Sequence, residues 1–186
     1  MSKSKGTPRF IESLGSTLVQ NRGTAILRSP QDLVFDLVGY PEGICKWDPS
    51  ILSMTPLGPS DEGPQRVGSR YRVRSWAGVG KKINDRVEEV LAFEPGRLRA
   101  IRCEVPFIRF EITTTVEPRD RLVLCHYESR VLLFGHMRLL ANVVRGFGEK
   151  NIQDALKALK SFVAGEVEKP GAPAPGRSQG RAGAAA

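Results

Sequence analysis

Residues 137–163 constrain the fold more than any other part of this chain. Leu139, Leu140, Val143, Val144, Phe147, Ile152, Leu156, Leu159, Phe162 and Val163 recur there at helical spacing, with Arg138, Arg145, Lys150, Lys157 and Lys160 falling mostly between them. That pattern predicts one long amphipathic helix. Its apolar stripe needs an equally long partner surface, which the preceding sequence must supply. Gly146 and Gly148 lie inside it, and each costs about 1 kcal/mol relative to alanine. They mark a bend or a place where something approaches the backbone closely.

The preceding sequence reads as strands. Residues 17–27 form a strand with a polar interruption at 20–23. Ser29, Pro30 and Asp32 then provide an N-cap, a first-turn proline and an early acid, and Leu33, Val34, Leu37 and Val38 follow at helical spacing. This short helix stops near Gly39, and residues 41–46 add one further turn. After residues 51–57 and a turn-rich loop at 58–64, five strands follow at 67–76, 82–93, 98–105, 108–116 and 122–134. Their connectors, 77–80, Glu94-Pro95-Gly96, Pro106 and 117–120, are short and turn-forming, as antiparallel neighbours require. The expected fold is α+β: a curved antiparallel sheet wrapped around the long C-terminal helix, with two short helices after the first strand.

Among 186 residues, 40% are hydrophobic and 26% charged, enough for one domain with a real core. The expected division is a flexible start (1–16), a single domain (17–165) and a disordered tail (166–186). From Pro170 that tail is too poor in large apolar groups to offset the entropy of ordering it. No apolar run approaches the ~20 residues of a bilayer span, and the basic N-terminus lacks the apolar segment of a signal peptide. A cytoplasmic protein is expected. Cys45, Cys103 and Cys125 are an odd count without paired spacing, with only His126 and His136 as imidazoles, so we expect reduced thiols, no metal site and no cofactor. The net charge of +8 is spread along the body with its signs interspersed and is augmented by basic groups near both ends. A dispersed excess argues against nucleic acid as a partner and leaves weak contact of the tail with an anionic membrane surface. A monomer or a homodimer fits equally.

Strand alternation sorts side chains into an inward and an outward phase. Ser69, Tyr71, Val73 and Ser75 are the inward phase of their strand, sending Arg70, Arg72 and Arg74 to solvent. Ile108, Phe110, Ile112, Thr114 and Val116 face inward in theirs, as do Val123, Cys125, Tyr127, Ser129 and Val131, which leaves His126 a surface residue rather than a base. The strand at 82–93 resists sorting, because its apolar phase (Ile83, Val87, Leu91, Phe93) also contains Asp85 and Glu89. An acid facing an apolar cavity would have a raised pKa and could act as a general acid or base. A bulge near Glu88 and Glu89 would instead turn Glu89 outward. Arg102 and Glu104 pose the same ambiguity.

Trp47-Asp48-Pro49 raises a separate question, since this tryptophan sits where Pro41, Gly43 and Pro49 break regular structure. Trp47 either packs against the first helix or lines a cavity. Asp48 either bonds the turn before Pro49 or serves chemistry.

Several pieces, taken together, resemble the START-like or SRPBCC family, in particular its polyketide cyclase/dehydrase branch. They are the strand followed by Ser29-Pro30-Gln31-Asp32-Leu33-Val34-Phe35-Asp36-Leu37-Val38, then Trp47-Asp48-Pro49, then Val67-Gly68-Ser69-Arg70-Tyr71, and Val87-Glu88-Glu89 running into Phe93-Glu94-Pro95-Gly96-Arg97-Leu98. The resemblance covers about residues 17–165 and implies a helix-grip fold with a cavity between sheet and terminal helix. Trp47 would lie near the mouth or floor of that cavity.

On this basis the chain is expected to bind a small hydrophobic molecule, polyketide-, lipid- or aromatic-like. Trp47, Ser69, Tyr71, Ser75, Trp76, Phe110, Thr114, Tyr127, Ser129 and Phe147 are the expected lining. As a cyclase or dehydratase it would use Asp48, Asp85 or Glu89 for acid/base work, with Tyr71, Tyr127 or Ser129 donating hydrogen bonds. The alternative is a non-catalytic carrier of the same kind of ligand. A protein-binding co-chaperone role has less support, since no exposed apolar helix stands out in the sequence.

Overall fold

In the computed structural model, which describes residues 15–76 and 82–167, the chain opens with β1 (Ser16–Leu27) and turns through two short helices, α1 (Gln31–Gly39) and α2 (Pro41–Trp47). It then lays down β2 (Ile51–Pro56), β3 (Arg70–Trp76), β4 (Ile83–Glu94), β5 (Leu98–Val105), β6 (Ile108–Arg119) and β7 (Leu122–Phe134). A 3-10 segment, Gly135–Leu140, leads into α3 (Ala141–Val167), so the predicted long helix begins as a tighter turn. The expectations for the flexible start, the 77–80 turn and the Gly/Pro/Ala-rich tail fall wholly or largely outside the described residues.

The strands form one antiparallel sheet in the order β1-β7-β6-β5-β4-β3-β2. Every connection from β2 to β7 joins neighbours. Only the passage from β1 to β2 crosses the sheet, from one edge to the other, and α1 and α2 make that crossing. Two helices suit a crossover because their apolar sides, Val34, Phe35, Leu37 and Val38 in α1 and Trp47 in α2, are buried against the sheet and α3.

The helix pair is pinned locally. Ser29 does not act as the predicted N-cap: Pro30 occupies that position, and the buried Ser29 hydroxyl has no partner. Instead Gln31 Nε2 donates to the Gly96 carbonyl at 2.8 Å, tying α1 to the turn between β4 and β5. Gly43 lets α2 fold back on α1, because a Cβ there would sit 1.9 Å from the Asp36 carbonyl oxygen. At the end of α2 the Trp47 indole donates to the Leu37 carbonyl at 2.8 Å.

α3 reaches β1 through glycines. A Cβ on Gly23 would meet Ile152 and Leu156 at 2.6 Å, and one on Gly148 would meet the Asn21 amide nitrogen at 2.1 Å. The polar interruption of β1 is thus where the helix comes closest. Gly146, by contrast, faces open space. Gly146→Ala should therefore recover most of the helix-propensity cost, about 0.5–1 kcal/mol, and raise the midpoint of thermal unfolding. Gly43→Ala should cost about 3 kcal/mol or more, because the obstruction is backbone; parallel thermal melts of the two variants check both.

Candidate functional site

Register decides which side chains share the inner face. Across the sheet, Asn21 pairs with Ser129, Ser129 with Ile112, and Ile112 with Ile101; one step along, Tyr127 pairs with Thr114, and Thr114 with Arg99. In β4 the register shifts between Val90 and Ala92. This bulge reverses the phase of the strand. Before it, Glu88 pairs with Cys103 on β5 and Tyr71 on β3, both buried, so Glu88 faces inward and Glu89 outward.

The interior holds two apolar clusters. One gathers α1, α2, the later half of α3 and the adjoining ends of β1, β6 and β7; the other comprises Tyr71, Val73, Val90 and Ile101, with Ile51, Met54, Phe93 and Ile112 against it. Phe93 touches both. Elsewhere between them the inner face is polar or half-open. Phe110, Ile112, Tyr127, Ser129 and Val131 all keep partial access to solvent although they lie on the concave side. Side chains packed solidly against a covering layer would not.

A charged group sits on this inner face. Glu88 is only 4% exposed, and its carboxylate accepts from Arg86 Nε at 3.1 Å and Arg86 Nη2 at 2.8 Å. Arg86 Nη1 also donates to the Ser75 hydroxyl at 2.6 Å, and its guanidinium lies over the Phe110 ring. Arg99, 6% exposed, brings Nη2 to 3.6 Å from the other Glu88 oxygen. That distance is an ion pair without a hydrogen bond, and Arg99 Nε and Nη2 have no hydrogen-bond partner. Two guanidinium groups therefore face one carboxylate, and the second retains buried, unused donors. Unsatisfied buried donors are costly, so Arg99 is the least compensated member of the group.

Two tyrosines border the group. Burial pushes the Tyr127 phenol well above its ordinary value, with the negative charges of Glu88 and Asp48 adding and Arg99 and Arg86 opposing. Burial also raises Tyr71, against the Ser69 hydrogen bond and the Arg99 charge. Both hydroxyls therefore stay protonated and available as donors throughout the neutral range.

The predicted residues divide accordingly. Ser69, Tyr71, Ser75 and Thr114 are buried on the inner face or, for Ser69, just before β3, and Phe110, Tyr127 and Ser129 are half-buried there. Trp47 is buried in the first cluster with its indole N–H committed to α1. Asp48 accepts from the Ser50 amide at 2.8 Å and the Ser50 hydroxyl at 2.6 Å, closing the turn before β2. Asp85 and Glu89 require correction. Both lie on the outer face, where Asp85 is exposed opposite Arg74 and 4.0 Å from Arg72, and Glu89 is held by Arg102 at 3.1 Å. The bulge falls two residues later than the position considered from sequence, which places the whole segment before it in the opposite phase. Arg102 and Glu104 are outward as well, joined to the same outer ion pairs. Trp76 projects from the outer phase of β3, and Phe147 is half-exposed on α3. Neither is part of the buried group.

Glu88, Arg86 and Arg99 were missed because only the bulge and the β5 register give them their direction. An outer-face groove of about 290 Å³, bordered by Arg22, Thr24, Thr113, Thr115, His126 and Glu128, is polar and internally paired: His126 bonds Thr24 at 2.9 Å, and Arg22 bonds Glu128 at 3.2 Å. His126 is thus at the surface, as its phase predicted. Cys103 and Cys125 are buried, with thiols pushed up to about 12 chiefly by burial, and Cys45 is exposed. No group of metal-ligating side chains occurs among the described residues.

A curved antiparallel sheet gripping a terminal helix, with a polar group enclosed between apolar clusters, defines a helix-grip domain. Residues 21–164 match the model of the family described as polyketide cyclase/dehydrase and lipid transport, and the chain belongs to that family. Among solved structures, it resembles the Zhui aromatase/cyclase from Streptomyces sp. R1128 (TM-score 0.64, 16% identity, covering 83% of this chain and 99% of that one). It also resembles Ara h 8.0201 (TM-score 0.60, 17% identity, 81% of this chain and 99% of that one). The di-domain ARO/CYC BexL from the BE-7585A biosynthetic pathway is similar over 83% of this chain and 51% of that one (TM-score 0.63, 13% identity). These likenesses concern the fold. No curated protein matches in sequence.

Glu88→Gln should destabilise the protein by about 3–5 kcal/mol, since it leaves two buried guanidinium groups without a counter-charge. Asp85→Asn and Glu89→Gln remove exposed partners and should each cost less than about 1 kcal/mol. Denaturant titrations of the three variants separate the inner acid from the outer ones. In a thiol-labelling assay at pH 8, Cys45 should react first, with Cys103 and Cys125 protected until the protein unfolds.

Proposed function

We propose that the space between the two apolar clusters takes up a small, largely apolar molecule that carries an anionic or strongly polarised oxygen, and that Arg99 receives that oxygen. The observation that carries this reading is the pair of unused buried donors on Arg99, next to a carboxylate already engaged by Arg86. Membership of a polyketide cyclase/dehydrase and lipid transport family supports a ligand of this type.

The chemistry such a site favours is cyclase- or dehydratase-like. Negative charge developing on a carbonyl oxygen would be stabilised by Arg99 Nε and Nη2 in a site of low polarisability, where a fixed cation acts more strongly than in water. Tyr127, held protonated by its surroundings, supplies a second donor and can pass a proton to that oxygen. Glu88 positions the two arginines rather than acting as base, since Arg86 occupies its carboxylate. Apolar walls hold a flexible substrate folded and exclude water from a reactive intermediate.

A second reading, a non-catalytic carrier, is favoured by the commitment of the acids: Glu88 is bound by Arg86 and Asp48 by Ser50. Native mass spectrometry of gently purified protein, with the released ligand identified, tests the pocket directly. Arg99→Met should lower affinity for a carboxylate- or carbonyl-bearing ligand by roughly 10- to 100-fold, the worth of a charge-assisted hydrogen bond, while Glu88 keeps its Arg86 pair. Equal affinity in the variant would refute the assignment of Arg99. Tyr127→Phe then separates the two readings: turnover falls with binding retained for an enzyme, and transfer proceeds unchanged for a carrier.

A further inference from the structure

The terminal helix is seated unevenly. Ile152, Leu156, Leu159 and Val163 are buried, whereas from Gly135 to Asn151, through the 3-10 segment and the first turns of α3, no residue is. Ile152 and Leu156 fit the space that Gly23 leaves on β1, so the later half is anchored by apolar burial. The earlier stretch is tied down by contacts at the surface. Arg138 Nε donates to the Thr17 hydroxyl at 3.3 Å, and the His136 ring lies 4.8 Å from that of Phe107.

The same stretch is intrinsically weak. Its 3-10 run, Gly135–Leu140, is six residues long, beyond the usual length of such turns, and Gly146 carries the helix cost of a glycine with nothing nearby that requires one. Beneath it, Asn21 is 4% exposed, and neither the oxygen nor the nitrogen of its amide has a hydrogen-bond partner. A Cβ on Gly148 would stand 2.1 Å from that nitrogen, so it is the helix that covers the amide. Seating residues 141–148 therefore takes a polar group out of water without replacing its hydrogen bonds, and lifting them returns it to water. Where Ile152 and Leu156 meet Gly23, seating is favoured instead. The boundary between the two behaviours falls between Gly148 and Ile152.

We propose that residues 135–148 are a gate, which opens by local unfolding next to Gly146 and Gly148 while residues 152–163 stay on the sheet. Opening uncovers Asn21 and its β7 partner Ser129, beside Tyr127 on the same strand, and gives a ligand a way to the inner face. The inference deepens the ligand reading above and rests on it for what passes the gate. The opening itself rests on Asn21, Gly146 and the shallow burial of the segment.

Hydrogen exchange of the full chain, read by mass spectrometry, tests the opening. Protection factors in residues 145–150 should lie about a hundredfold or more below those in residues 155–163. Asn21→Leu replaces the stranded amide with an apolar group of similar shape and should raise protection in 145–150 by about tenfold or more. Gly146→Ala, at a position facing open space, should raise it about threefold. Stopped-flow uptake of 8-anilinonaphthalene-1-sulfonate, an apolar probe with an anionic oxygen group, tests the route. Association and dissociation should both slow, by about fivefold or more in Asn21→Leu and about threefold in Gly146→Ala, the latter with affinity retained. Equal protection along α3, or variants that leave residues 145–150 unchanged, overturns the gate. Uptake rates unaltered in variants that do raise protection overturn it as an entry route. A wild-type protein that exchanges as described but takes up no probe refutes the ligand reading and leaves the opening segment standing.

Discussion

The architecture depends on how closely α3 can approach β1. Gly23 and Gly148 remove the side chains that would hold the two apart, and Ile152 and Leu156 take up the room. Once the helix is seated against this edge strand, it cannot also cover the inner face of β3, β4 and β5. α1 and α2 fill part of the remainder at one end, where Trp47 locks them together. Partial solvent access along the inner face of β6 and β7 is thus a consequence of packing one helix against a seven-stranded sheet.

What occupies the unfilled part gives the site its character. A purely apolar interior would take an apolar ligand in any orientation. In the proposed ligand reading, Glu88, Arg86 and Arg99 would make it directional, because buried charges must be paired and Arg99 is paired only in part. The protonated phenols of Tyr71 and Tyr127 extend the same polar strip.

Most of the fold was legible from periodicity, since the alternation in the sheet strands and the 3.6-residue repeat of α3 are each forced by burial of one face. The inward phases of β3, β6 and β7 followed in the same way, which is why Tyr71, Thr114, Tyr127 and Ser129 were placed on the correct side. The charged site was not legible. The direction of Asp85 and Glu89 stayed open because they share a phase with Ile83, Val87 and Leu91, and the single-residue bulge after Val90 that puts Glu88 inside has no signature in residue type.

The sequence by itself determined the elements, their order and the family, because each strand and helix carries its own burial pattern and the strands from β4 to β7 are joined by turns too short for any other pairing. Only the tertiary structure decided which acid is inside, which arginine is left with free donors and where the terminal helix leaves the sheet uncovered. Those outcomes depend on register, on a bulge and on the reach of a helix across a sheet, all set by contacts between residues far apart in the chain.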